Sequence, residues 1–129
     1  MVKLVKKTKT AQPDSLPHVH RMVVLAADRK ALRIRAYDVR GLTLVADYFI
    51  MCSASSEPHF KAVFNGIREG MKEIGLVPMH TEGRLRGGWL LLDYGTIILH
   101  VFREEARDFY DLDGLWADAP QVALDVDTD

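Results

Sequence analysis

Apolar positions recur along this chain with two different periods, and the changes of period mark its elements. Behind Pro17, which suits a first helical turn, Val19, Met22, Val23, Ala26 and Ala27 repeat at helical spacing and predict a helix from about His18 to Lys30. Leu32, Ile34 and Ala36 then alternate with polar residues, predicting a strand over 32–39 that Gly41 stops. Tyr48 to Ser53 is apolar on both faces, as a strand inside a sheet is. Ser55 or Ser56 can cap the next and longest helix, with Glu57 and Pro58 in its first turn. Its stripe of Phe60, Val63, Phe64, Ile67, Met71 and Ile74 ends at Gly75, a C′ residue. Val77 to Thr81 reads as an edge strand, and Glu82 to Gly88 as a flexible loop.

The stretch from Trp89 to Phe102 is two apolar runs joined by a short connection containing Gly95, the pattern of a β-hairpin. With an even number of loop residues, Trp89 falls opposite His100 and Leu91 opposite Ile98. One face then carries Leu90, Leu92, Ile97, Leu99 and Val101, and must be covered. The other carries Trp89, Leu91, Asp93, Thr96, Ile98, His100 and Phe102, a mixture that a protein in water rarely leaves bare without a use. After a helical turn over 103–108 come Phe109, Tyr110, Leu112, Leu115 and Trp116 in close succession. The order helix, strand, strand, helix, strand, hairpin predicts an α/β two-layer sandwich, a mixed five-stranded sheet with helices packed mainly on one face.

Composition narrows the function. A chain of 129 residues suits one domain, and a net charge of −1 gives no support for a bulk electrostatic nucleic-acid binder. Charge is uneven: Lys3, Lys6, Lys7 and Lys9 make residues 1–16 a mobile basic arm ahead of the domain at 17–117. Asp118, Asp125, Asp127 and Asp129 make 118–129 an acidic tail expected to be disordered. The single Cys52 excludes an internal disulfide and fits a reducing compartment; with no signal peptide and no apolar run of membrane length, a cytoplasmic protein is expected.

Candidate chemistry is sparse. His18 and His20 point to different sides of a helix, and His59, His80 and His100 fall in separate elements, so no metal site is expected. Cys52 sits in the most apolar strand, where a structural thiol is expected rather than a nucleophile. Ser53, Ser55 and Ser56 lie at a strand-to-helix junction but lack the glycines of a phosphate cradle. Asp111-x-Asp113 and Asp125-x-Asp127 could be carboxylate pairs of a metal-dependent nucleotidyltransferase, the alternative reading, but neither lies on a strand. Trp89, Tyr110 and Trp116 remain, and exposed Trp and Tyr are the usual anchors of protein interfaces.

Several of these stretches together resemble the ribosomal silencing factor family, also called RsfS or Iojap-like. They are Asp38-Val39-Arg40-Gly41, Ala46 to Ser53 with Ser55-Ser56, Glu82-Gly83, Trp89 to Gly95, His100-Val101-Phe102, Arg107 to Tyr110, and Leu115-Trp116. The resemblance spans roughly residues 18–118. It implies a nucleotidyltransferase-like fold without the catalytic carboxylates, hence no enzyme activity and no cofactor. It further implies binding to large-subunit ribosomal protein fourteen, a block on subunit joining, and repression of translation in starvation and stationary phase. Sequence-specific nucleic-acid contact and membrane association are not implied, and a homodimer through the same face is compatible. By position, the partner-binding residues would be Trp89 foremost, Leu91 and Asp93 beside it, and Glu82, Tyr110, Leu112 and Trp116 around them. Three positions depart from the family pattern: Ala54 stands where Gly is usual, so that turn must avoid positive φ; Thr96 replaces a common Asp; and Pro58 is unusual in a first helical turn.

Overall fold

The computed structural model describes residues 14–126, so most of the basic arm and the last three residues lie outside it. Helix α1 (Leu16–Asp28) leads into strands β1 (Leu32–Asp38) and β2 (Tyr48–Ala54), then helix α2 (Glu57–Lys72). Strands β3 (His80–Arg84), β4 (Trp89–Asp93) and β5 (Ile97–Arg103) follow, and two short helices, α3 (Glu104–Tyr110) and α4 (Leu112–Leu115), close the chain's regular structure. The five strands form one sheet in the order β1-β2-β5-β4-β3, with β2 and β5 parallel and the other neighbours antiparallel. This is the mixed α/β arrangement expected.

The capping signals act as read. Ser56 accepts the His59 backbone N–H at 3.2 Å, with Pro58 in the first turn of α2. Gly75, at φ 84, ends that helix. Ala54 closes β2 without a positive φ. α1 begins two residues earlier than expected, because Asp14 accepts the Leu16 N–H at 3.0 Å and holds the first turn.

Long helices α1 and α2 seal one face of the sheet. Val19, Met22, Val23 and Ala26 from α1 and Phe60, Val63, Ile67 and Met71 from α2 pack on Tyr48, Ile50, Cys52, Leu90, Leu92, Leu99 and Val101. The second face holds a smaller core of Tyr37, Val39, Phe49, Met51, Ile98 and Phe102, partly covered by Ala106, Leu112 and Trp116.

Four sequence expectations are corrected. The hairpin pairs Trp89 with Phe102 and Leu91 with His100, two residues out from the expected register, because four residues lie between Asp93 and Ile98. A shift of two keeps side-chain parity, so the strand residues fall on the faces predicted, except Thr96, which lies in the turn and meets Ser15 Oγ at 2.5 Å beside α1. β3 lies three residues later than expected and takes in Glu82, Gly83 and Arg84, which the sequence suggested were loop. A bulge between Leu32 and Arg35 sets Leu32 opposite Ser53, so Leu32 leaves the face shared by Ile34 and Ala36. Finally, the described part of the acidic tail is ordered along the outer edge of β1. The Asp38 N–H donates to the Pro120 carbonyl at 2.8 Å and the Val122 N–H to that of Ala36 at 2.8 Å, while Val122, Leu124 and Val126 pack against the main core.

The half-open aromatic face

Trp89 opens β4 on the second face, and its indole is surrounded by rings on one side only. Phe102 stacks at 5.1 Å between centroids, Tyr110 of α3 leans on it at 4.8 Å, and His100 sits at 5.9 Å. Indole Nε1 donates to His100 Nδ1 at 3.1 Å, which places the imidazole proton on Nε2. The remaining side of the indole lines an open cavity with Leu91, Glu82 and Gly83. Gly83 is required there: at φ +100, a Cβ would lie 2.1 Å from the Trp89 carbonyl oxygen. Beyond Tyr110, itself half-exposed, Phe109 and Leu115 present 80% and 71% of their surface to solvent and extend the apolar area.

The seven residues singled out from sequence therefore divide. Trp89, Leu91 and Glu82 meet at one cavity, and Tyr110 joins them through the Trp89 ring. Asp93 sits at the far end of β4, where its Oδ1 accepts the Gly95 N–H at 2.7 Å and shapes the hairpin turn. Leu112 and Trp116 pack inward, Trp116 edge-on to Phe49 at 5.0 Å. Sequence reasoning passed over Phe109 and Leu115 as anchors; their only signal was the density of large apolar groups after β5.

Burial governs the titratable groups. Only 5% of His100 is exposed, and desolvation pushes its imidazole down to about 4 despite the opposing pull of Asp113. The neutral ring is the form that accepts from Trp89. Because the folded value lies below the unfolded one near 6.5, the unfolded chain binds more protons between those limits. Stability is thus full above pH 6.5 and falls by about 3 kcal/mol on acidification to pH 4. Denaturant titrations at several pH values check this. His100→Asn keeps an acceptor without a titrating proton and should flatten the slope above pH 4.5; an equal slope in both proteins would exclude His100 as its source.

Arg107, with 3% of its surface exposed, anchors α3 and α4 to the sheet. Its Nε and Nη2 each donate to one Asp113 oxygen at 2.9 Å, and Nη1 donates to the Arg33 carbonyl at 2.6 Å and to Ser53 Oγ at 3.3 Å. Tyr37 also donates to Asp113, at 2.8 Å. Burial alone would raise the Asp113 carboxyl, but the Arg107 fork and Tyr37 hold it below the usual carboxylate range. Glu104, bound by Arg33 at 2.9 Å and Ser53 at 2.8 Å, is likewise lowered against its desolvation.

The acidic pair weighed as a metal site is thus engaged within the fold. Asp113 belongs to this ion pair, and Asp111, at φ 49, accepts the Gly114 N–H at 3.2 Å as the cap of α4. Asp127 of the second pair lies outside the described residues. No group of three or more potential metal ligands occurs among the described residues. Cys52 is wholly buried, and desolvation pushes its thiol up to about 12, a structural and unreactive state. No helix of the described residues is long and apolar enough to cross a membrane.

A family model described as "Ribosomal silencing factor during starvation" matches residues 12–129. The chain belongs to the ribosomal silencing factor family. Relatives named ribosomal silencing factor RsfS include one from Bacillus subtilis, 38% identical over 98 residues that span 76% of this chain and 83% of that protein. Another, from Halalkalibacterium halodurans, is 35% identical over 98 residues, 76% of this chain and 84% of the relative. The chloroplastic protein Iojap of Arabidopsis thaliana is 31% identical across 92% of this chain and 51% of its own length. A Chromobacterium violaceum crystal structure superposes with a TM-score of 0.77 at 26% identity, covering 90% of this chain and 96% of that one. Membership places this protein among ribosome-associated regulators that silence translation.

Proposed function

We propose that this protein silences translation by docking on ribosomal protein fourteen of the large subunit through the Trp89 face, and that its bulk then obstructs joining of the small subunit. The observation that carries the reading is the asymmetry of the sheet. One face is sealed by two long helices, while the other leaves Trp89, Leu91 and Glu82 around an open cavity with Tyr110, Phe109 and Leu115 beside it. A central aromatic anchor with a polar rim is what protein interfaces use. Obstruction requires no bond-making step, which agrees with carboxylates and a cysteine that are committed to the fold. Leu112, Trp116 and Asp93 act in this reading by supporting the surface, and the protein acts in the cytoplasm.

Sucrose-gradient profiles test it. Added protein should move ribosomes from the joined to the separate-subunit fractions and itself sediment with the large subunit. Sedimentation with the large subunit and an unchanged profile would refute obstruction; no sedimentation with either subunit would refute docking.

A further inference from the structure

The end of the sheet that carries Trp89 also carries two arginines without a partner. Among the described residues, Arg21, Arg33, Arg40, Arg103 and Arg107 each lie within 4.0 Å of a carboxylate, whereas Arg68 reaches only the Asn65 side chain, at 3.5 Å. The side chains of Arg84 and Arg86 form no hydrogen bond or ion pair with any described residue, and both residues are exposed. Arg84 lies directly opposite Trp89 in the β3–β4 ladder, so the two side chains leave the sheet on the same face. Arg86 follows in the 3₁₀ turn Leu85–Gly87 that joins these strands.

That turn is held at both ends. Gly83 touches the Trp89 carbonyl where a Cβ would stand, and a Cβ on Gly88 would meet Arg103 and Ala106 at 3.2 Å. Backbone geometry therefore fixes the two guanidinium-bearing positions relative to the docking anchor. Glu82 bonds His80 at 2.6 Å. In the α3–α4 segment, Glu105 and Asp108 are exposed but paired, with Arg103 at 3.3 Å and with Arg33 at 3.1 Å. The β3–β4 turn thus presents two guanidinium groups at the edge of the docking face.

We propose that Arg84 and Arg86 form a second contact, to the phosphate backbone of RNA lying beside the protein surface that receives Trp89. The inference rests on the ribosome-docking reading above and adds a partner to it. Two unpaired guanidiniums on a rigid turn match phosphate oxygens, which accept forked hydrogen bonds. A net charge of −1 is no obstacle, because the contact is local and independent of base sequence.

The test is the salt dependence of binding to isolated large subunits, with full-length protein. Each phosphate contact contributes about 0.7–0.9 to the slope of log affinity against log salt, so R84Q/R86Q should lower that slope by about 1.4–1.8. Between about 50 and 200 mM salt, wild type should then lose about tenfold more affinity than the variant. Binding of R84Q/R86Q to purified ribosomal protein fourteen alone should equal that of wild type. An unchanged slope on subunits overturns the proposal. An equal loss on the isolated protein overturns it too, since the arginines would then face a carboxylate surface. Trp89→Ala separates the two readings: it should weaken binding by one factor at every salt concentration with the slope retained. Should Trp89→Ala bind as wild type, the docking reading fails while the arginine slope is still measured.

Discussion

Trp89→Ala is expected to weaken binding to isolated large subunits by about thirtyfold or more, a loss of about 2 kcal/mol. The size follows from where the ring stands. Its inner side is fixed by Phe102 and Tyr110 at 5.1 and 4.8 Å, so it meets a partner with little conformational freedom left to lose. Its outer side borders the Glu82–Gly83–Leu91 cavity, where a partner's apolar group would exclude water. Truncation also removes the donor to His100 Nδ1 and leaves a buried acceptor unpaired, so the variant loses folding stability as well. Trp89→Phe separates the effects: it shares the lost N–H but keeps a ring, and should recover part of the affinity while unfolding almost as easily as the alanine variant. Co-sedimentation, with circular dichroism to show that each variant is folded, reads the difference. A folded Trp89→Ala protein that binds as wild type would remove this residue from the interface.

The features legible in the sequence are those that depend on local periodicity. Two helical stripes, the doubly apolar β2 and the alternation of the hairpin gave the element order and the identity of both sheet faces. The hairpin faces survived a wrong register because only the parity of the offset matters, and the turn held by Asp93 and Gly95 moved the pairing by two. Non-local pairing is where the reading stopped. His80-Thr81-Glu82-Gly83-Arg84 has no apolar alternation and becomes a strand only because β4 offers it a ladder. The C-terminal segment was misjudged for another reason. Its aspartates dominate the composition, yet Val122, Leu124 and Val126 alternate with period two, the mark of an extended segment with one face on the core.

Arg107 shows the other limit, since no pattern of apolar spacing announces a buried cation. Its removal is the largest stability change expected in this protein. Arg107→Ala would leave the Asp113 carboxylate with Tyr37 as its remaining side-chain donor and take the guanidinium from the Arg33 carbonyl and Ser53, and breaking a buried pair from one side costs about 3–5 kcal/mol. Asp113→Ala alone strands the guanidinium and should cost a similar amount. The double variant removes both charges, so its loss should fall well short of the sum. Denaturant unfolding of the four proteins at pH 7 supplies the cycle, and strict additivity would show that the ion pair is not the source. The consequence reaches the docking face, because Arg107 lies in the helix that carries Tyr110, and Asp113 in the one that follows. With the clamp cut, α3 is held to the β1 bulge only through Arg33, which binds Glu104 and Asp108, and the end of the helix that carries Tyr110 is less firmly supported against Trp89. Arg107→Lys keeps the charge but not the fork. It should retain more stability than alanine and still loosen Tyr110, so a folded Arg107→Lys protein should bind large subunits more weakly than wild type, without having lost any residue that touches the partner.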